Sequence, residues 1–192
     1  MTTGEGMNIS DEQASAALAD ITRVARRAAV SQGYRRGAPH LFLWAAVWFV
    51  GYGVSYLAPA RAGMAWLALD IVGIGGSYWI SRGSAQEAAR GTAQHARRFA
   101  TLGASILLFL VSTYLILPPT TTEQLGAFPP LLVAFGYAII GTWAGPRWLA
   151  CAAVLFAATL GGHFLLRAWF MPWMGLAGAS ILCVSGLWLR RG

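Results

Sequence analysis

Apolar residues gather in six runs, at about 39–58, 62–82, 99–117, 126–145, 147–166 and 171–189, separated by short polar or proline-containing joints. A run of about 20 apolar residues, rising 1.5 Å each, matches a hydrocarbon core ~30 Å thick. The pattern therefore predicts an all-α fold, a polytopic integral membrane protein whose six-helix bundle occupies residues 39–192. The joints "APARAG" (58–63) and "AGPRW" (144–148) are so short that spans one and two, and four and five, are expected as antiparallel hairpins punctuated by Pro59 and Pro146.

Ahead of the first run the period changes. In residues 10–31, "SDEQASAALADITRVARRAAVS", Ser10 is placed to cap a helix and Gln13 to reach back to it. Ala14, Leu18, Ile21, Ala25 and Ala28 then recur at spacings of 4, 3, 4 and 3, which leaves Asp20, Arg23, Arg26 and Arg27 to the polar side. This predicts an amphipathic helix within an N-terminal segment, residues 1–38. The stretch "SAQEAARGTAQHARR" repeats the device with Ser84 and Glu87, and runs into the third span as an extension weakened at Gly91. Both stretches end in Ala-Arg-Arg.

Composition agrees with the pattern. The chain is 57% hydrophobic and 11% charged, where an ordinary soluble domain carries about 25% charged residues and so can cover itself with polar surface. No apolar core behind a basic stretch precedes residue 38, so no cleavable signal peptide is expected and the first span serves as its own anchor. All 14 basic residues are Arg, a bias typical of GC-rich coding that points to a bacterial source.

Net charge of +7 raises the question of nucleic acid, but the placement of the arginines answers it differently. With the N-terminus cytoplasmic, twelve of the fourteen fall on that side and only Arg61 and Arg167 on the other, which predicts both termini inside and an inner (cytoplasmic) membrane location. Trp66, Trp169 and Trp173 then fall near the outer interface, and Trp44, Trp79, Trp143, Trp148 and Trp188 near the inner one, as an aromatic belt requires. A faint echo links "GYGVSYLAPARAGMAW" from Gly51 with "GYAIIGTWAGPRWLA" from Gly136, three spans later, the offset of an inverted transporter-type repeat.

Chemistry is sparse. Asp70 lies about eight residues, or roughly 12 Å, into the second span from its outer end, where a carboxylate costs roughly 2.5 to 3.5 kcal/mol. Gly63, Gly73 and Ser77 share its helix face and form a small-residue seam for another helix. Thr159, His163 and Arg167 stripe one face of span five at about the same depth and nearer the outside, and Ser112, Thr113, Tyr137 and Ser180 lie in or near the outer half. Asp70, Ser77, Thr159, His163 and Arg167 are the candidate intramembrane polar site, for a cation, a proton or a solute path. The alternative is a buried acid that only ties helices together.

Enzyme readings are weaker. Topology separates His40 and His95 from His163, no Cys or carboxylate stands at metal-ligand spacing beside any of them, and neither a metal nor a cofactor is expected. His40 and His95 share a depth that axial haem ligation would need, but both adjoin Arg-rich interfacial sequence. "GIGG" (73–76) lacks the spacing and preceding strand of a dinucleotide fingerprint, and no nucleophile signature surrounds Ser77 beside Asp70 and His163. Cys151 and Cys183 fall inside spans and read as small apolar residues.

Two function classes remain. The first is a non-enzymatic membrane component acting through protein contacts on the cytoplasmic side, with Leu18, Ile21, Arg23, Arg26, Arg27, Arg97 and Arg98 as contact surface. Its expected partners are the bilayer, anionic lipid head groups drawn to the arginines, and a protein partner or second copy, with no nucleic acid. The N-terminal helix is expected to lie on the membrane surface, with docking to a partner helix as the alternative. The second class is a small oligomeric transporter or channel with its site at Asp70.

Overall fold

The computed structural model describes residues 11–86 and 92–191, and among them the secondary structure is entirely helical. The helices are α1 (Asp11–Leu57), α2 (Ala62–Gln86), α3 (Thr92–Ile116), α4 (Thr122–Ala144) and α5 (Pro146–Leu165), followed by a last rod, Arg167–Arg190. That rod is composite: a 3₁₀ turn, the short α6 (Phe170–Trp173), a π-helical stretch (Met174–Gly178) and α7 (Ala179–Arg190). Five helices are long and apolar enough to cross a membrane, and Ala100–Ile116 within α3 is a shorter apolar stretch. The capping roles of Ser10 and Glu87 and the weak point at Gly91 lie outside the described residues.

α1 departs from the expected division into an N-terminal helix and a first span. It is one helix of 47 residues that passes through Pro39 without a break. A proline inside a helix removes one donor and bends the axis, a cost that packing on one face can offset. Such a face begins at Tyr34 and continues through Ala38, Leu41, Ala45, Trp48 and Tyr52, all buried. Before it, Leu18, Ile21 and Val24 are exposed, so the first part of α1 is an arm carried by a packed rod.

α1 is the spine of the bundle, with α2 packed along it and the last rod packed along it too. The antiparallel register with the last rod is set by small residues. A methyl at Gly175 would lie 3.3 Å from Tyr52 Cβ, one at Gly178 3.2 Å from the Trp48 ring, and one at Gly186 3.0 Å from the Phe42 ring. α4 and α5 form the tightest pair, joined at Gly145, whose φ of 114° is open to glycine but strained for other residues. Thr121 opens α4 by accepting from the Gln124 backbone N–H at 3.2 Å, while Gln124 Oε1 accepts from the Thr120 N–H at 3.0 Å, a reciprocal cap. α3 packs on α4.

Two tyrosines stitch α4 to its neighbours at a defined chemical weakness. Pro129 and Pro130 have no N–H, so the carbonyls four residues earlier, Leu125 and Gly126, lose their helical donors. Tyr114 of α3 donates its hydroxyl to the Leu125 carbonyl at 2.8 Å, and Tyr52 of α1 donates to the Gly126 carbonyl at 2.6 Å. Tyr52 is fully enclosed, edge-on to Trp48 and Trp66 at 6.0 and 5.2 Å between ring centroids.

Three of the nine tryptophans also serve packing where an interfacial belt was expected. Trp148 is buried against Tyr137, and Trp44 and Trp66 are half-buried in the α1–α2 seam. Trp79, Trp143, Trp169, Trp173 and Trp188 are exposed.

Candidate functional site

The seam around Asp70 is built by tryptophans reaching over glycines. Trp44 of α1 covers Gly73 and donates its indole N–H to Ser77 Oγ at 3.2 Å. Trp66 of α2 covers Gly51 and donates to Ser55 Oγ at 3.0 Å, and that hydroxyl in turn donates to the Gly51 carbonyl at 2.8 Å. Glycine at 51 and 73 leaves room for the flat rings, so the indole N–H groups reach across to serines. Asp70 sits half-buried on α2 between these two clamps, one turn from each, and makes no hydrogen bond or ion pair among the described residues.

Of the stripe expected on α5, Thr159 and His163 lie on the helix and differ in chemistry. Thr159 is fully buried and spends its hydroxyl on its own helix, donating to the Leu155 carbonyl at 2.8 Å. His163 lies half-buried with its ring edges against Phe164 and Phe170, 5.2 and 6.1 Å between centroids, and its Nδ1 is buried without a partner. Arg167 is exposed beyond α5, in the 3₁₀ turn that opens the last rod, because the chain leaves the helix at Leu166 (φ −127°, ψ 38°), so the stripe expected on one helix stops at His163. Glu123, in the first turn of α4, lies within electrostatic range of both Arg167 and His163, a companion that sequence spacing did not reveal.

Structure therefore does not join Asp70 and Ser77 to Thr159, His163 and Arg167. α2 packs on α1, whereas α5 packs on α4 and on the last rod, and no hydrogen bond or ion pair links the two sets. Ser77 already holds Trp44. A recess of about 470 Å³ beside the last rod is mostly apolar, lined by Trp169, Trp173, Leu176 and Ser180 among others, and includes neither Asp70 nor His163. Among the described residues, no three His, Cys, Asp or Glu side chains gather as a metal centre would need. The His95 side chain lies outside the described ones.

The contact surface on the N-terminal arm is open. Leu18 and Ile21 are each 65% exposed, three residues apart on one face, which leaves their apolar surface for something other than this chain's own core. Arg23 pairs with Asp20 at 2.8 Å on the other side of the helix. Arg97 and Arg98 are exposed early in α3; the Arg26 and Arg27 side chains lie outside the described ones.

The arginines at the other end of α1's packed face were counted in the sequence for topology alone, and the structure shows them organised. Arg147 lies over the rings of Tyr34 and Trp188, 5.2 and 5.3 Å to the centroids, and donates to the Trp188 carbonyl at 3.0 Å. The signal for it, an Arg near aromatic residues of two other helices, is non-local and has no sequence motif. Comparison of the chain with protein-family models, curated proteins and solved structures finds no match.

Proposed function

We propose that the chain is a six-span protein of the inner (cytoplasmic) membrane, both termini cytoplasmic, that acts without catalysis by presenting the arm of α1 to a protein partner. The observation that carries the reading is the unbroken helix Asp11–Leu57 with Leu18, Ile21 and Val24 exposed along it. A helix intended to lie on the bilayer surface needs a linker where it can turn off the first span, and α1 contains none. An arm of about 20 residues is roughly 30 Å long, ample for a partner helix to pack along. Its 4, 3 apolar spacing suits that packing, and its alanines make it too weak to associate unaided, which favours a partner that supplies larger side chains. The transport reading needs Asp70 and the α5 stripe on one water-filled path, and the separate packing of α2 and α5 gives it no support.

A photo-crosslinking residue placed at Leu18 or Ile21 in full-length protein in its native membrane tests the reading. One adduct of defined mass is expected from both positions and from neither Phe164 nor Leu115; Ile21→Glu abolishes the adduct formed from position 18, and Leu18→Glu with Ile21→Glu abolishes the cellular phenotype. An adduct from position 18 that survives Ile21→Glu, or an unchanged phenotype after removal of residues 1–31, overturns it. An adduct at twice the chain mass identifies the partner helix as that of a second copy.

A further inference from the structure

Five arginines crowd one end of the bundle: Arg35 and Arg36 on α1, Arg147 at the start of α5, and Arg190 and Arg191 at the end of α7. The chain carries no Asp or Glu between Asp20 and Asp70 and none after Glu123, and among the described residues no carboxylate pairs with these arginines. Arg147 is held by two rings and a carbonyl, as described above. Arg35 and Arg190 instead line one recess of about 420 Å³, with Pro39 and Phe42 as its apolar wall.

The recess is anchored by close packing. The Arg190 guanidinium carbon lies 6.0 Å from the centroid of the Phe42 ring, a cation–π contact that orients the long side chain. One turn earlier, a methyl at Gly186 would lie 3.3 Å from the Ala38 carbonyl oxygen, so the two arginines spring from helices whose backbones nearly touch. Two guanidinium-bearing side chains lining one recess attract an anion, and phosphate matches them best because each offers paired N–H donors to two phosphate oxygens.

We propose that this recess binds the phosphodiester head group of an anionic glycerophospholipid; the inference rests on the membrane reading above. The apolar surroundings select lipid over free phosphate. The α1 stripe of Pro39 and Phe42 continues through Ala46 and Phe49, which are exposed, and α7 exposes Leu187, so acyl chains find an apolar track leading away from the recess. The surplus of positive charge selects an anionic lipid over a zwitterionic one, whose own ammonium group is repelled.

The test uses full-length protein, delipidated in mild detergent and titrated with phosphatidylglycerol, phosphatidylcholine or inorganic phosphate, bound molecules being counted by native mass spectrometry. Phosphatidylglycerol is expected to bind, and the other two to bind far more weakly. Arg35→Gln and Arg190→Gln each weaken that binding roughly fivefold and together about thirtyfold, as neutralising one or two surface arginines implies. Arg61→Gln, at the opposite end of α1, leaves it at the wild-type level. Should the double variant fail to fold, the two single variants decide. Wild-type affinity in the arginine variants, or equal binding of phosphatidylcholine or inorganic phosphate, overturns the proposal. Carbonate washing of native membranes tests the membrane reading separately, because release of the chain defeats that reading whichever lipid binds.

Discussion

Tyr52 shows how much a single side chain holds in this bundle. Its ring fills the space between Trp48 and Trp66, and its hydroxyl serves a carbonyl that Pro130 has orphaned. Loss of one partner of a buried hydrogen bond costs about 1–3 kcal/mol, because the carbonyl is left dry and unpaired. Tyr52→Phe is therefore expected to lower stability by about 1–2 kcal/mol in thermal or denaturant unfolding. In a Pro130→Ala background the helix regains its own N–H for Gly126, and the same substitution costs about 1 kcal/mol less. An identical cost in both backgrounds removes the hydroxyl from this role. The proline pair is visible in the sequence, but its tyrosines come from residues 52 and 114 on other helices, and nothing local announces them. Asp70 is the converse case: its place on a long apolar helix and its small-residue neighbours are legible in the sequence, while its separation from Thr159 and His163 is not, because position along a helix says nothing about which helices adjoin.

At the scale of elements, the boundaries of α2, α4, α5 and the last rod follow the apolar runs closely, since length and hydropathy decide them. The continuity of α1 does not follow from those signals. Gly33, Gly37 and Pro39 interrupt the pattern between residues 31 and 41, and only the buried stripe from Tyr34 onward, packed by other helices, carries the helix across them. The helical glycines sort into two kinds by what they meet. Gly186→Leu is expected to destabilise the protein by about 2–3 kcal/mol, because the Phe42 ring and the Ala38 carbonyl leave no room for its side chain. Gly103→Leu on α3, where nothing lies within 4 Å, is neutral or stabilising, since it also raises helix propensity. Equal losses of melting temperature for the two contradict the tight α1–α7 contact.

For the whole molecule, the arrangement separates a packed part from a presented part. α1, α4, α5 and the last rod share the core, α2 and α3 flank it, and the arm of α1 stands beyond it with its apolar face unused. The Arg35–Arg190 recess lies where arm and bundle meet, so a bound anionic lipid would fix the level at which the arm leaves the bilayer. The central claim is that this arm continues the first span and does not fold down onto the membrane. Spin labels at Ile21→Cys and Val50→Cys, both on exposed positions, with Cys151 and Cys183 replaced by alanine, measure it by pulsed dipolar spectroscopy in lipid nanodiscs. A continuous helix places the two sites about 44 Å apart, a value that a modest proline kink changes by only about 2 Å. A distribution centred near 44 Å supports the account; one centred near 32 Å, the separation for a right-angled turn at Pro39, contradicts it.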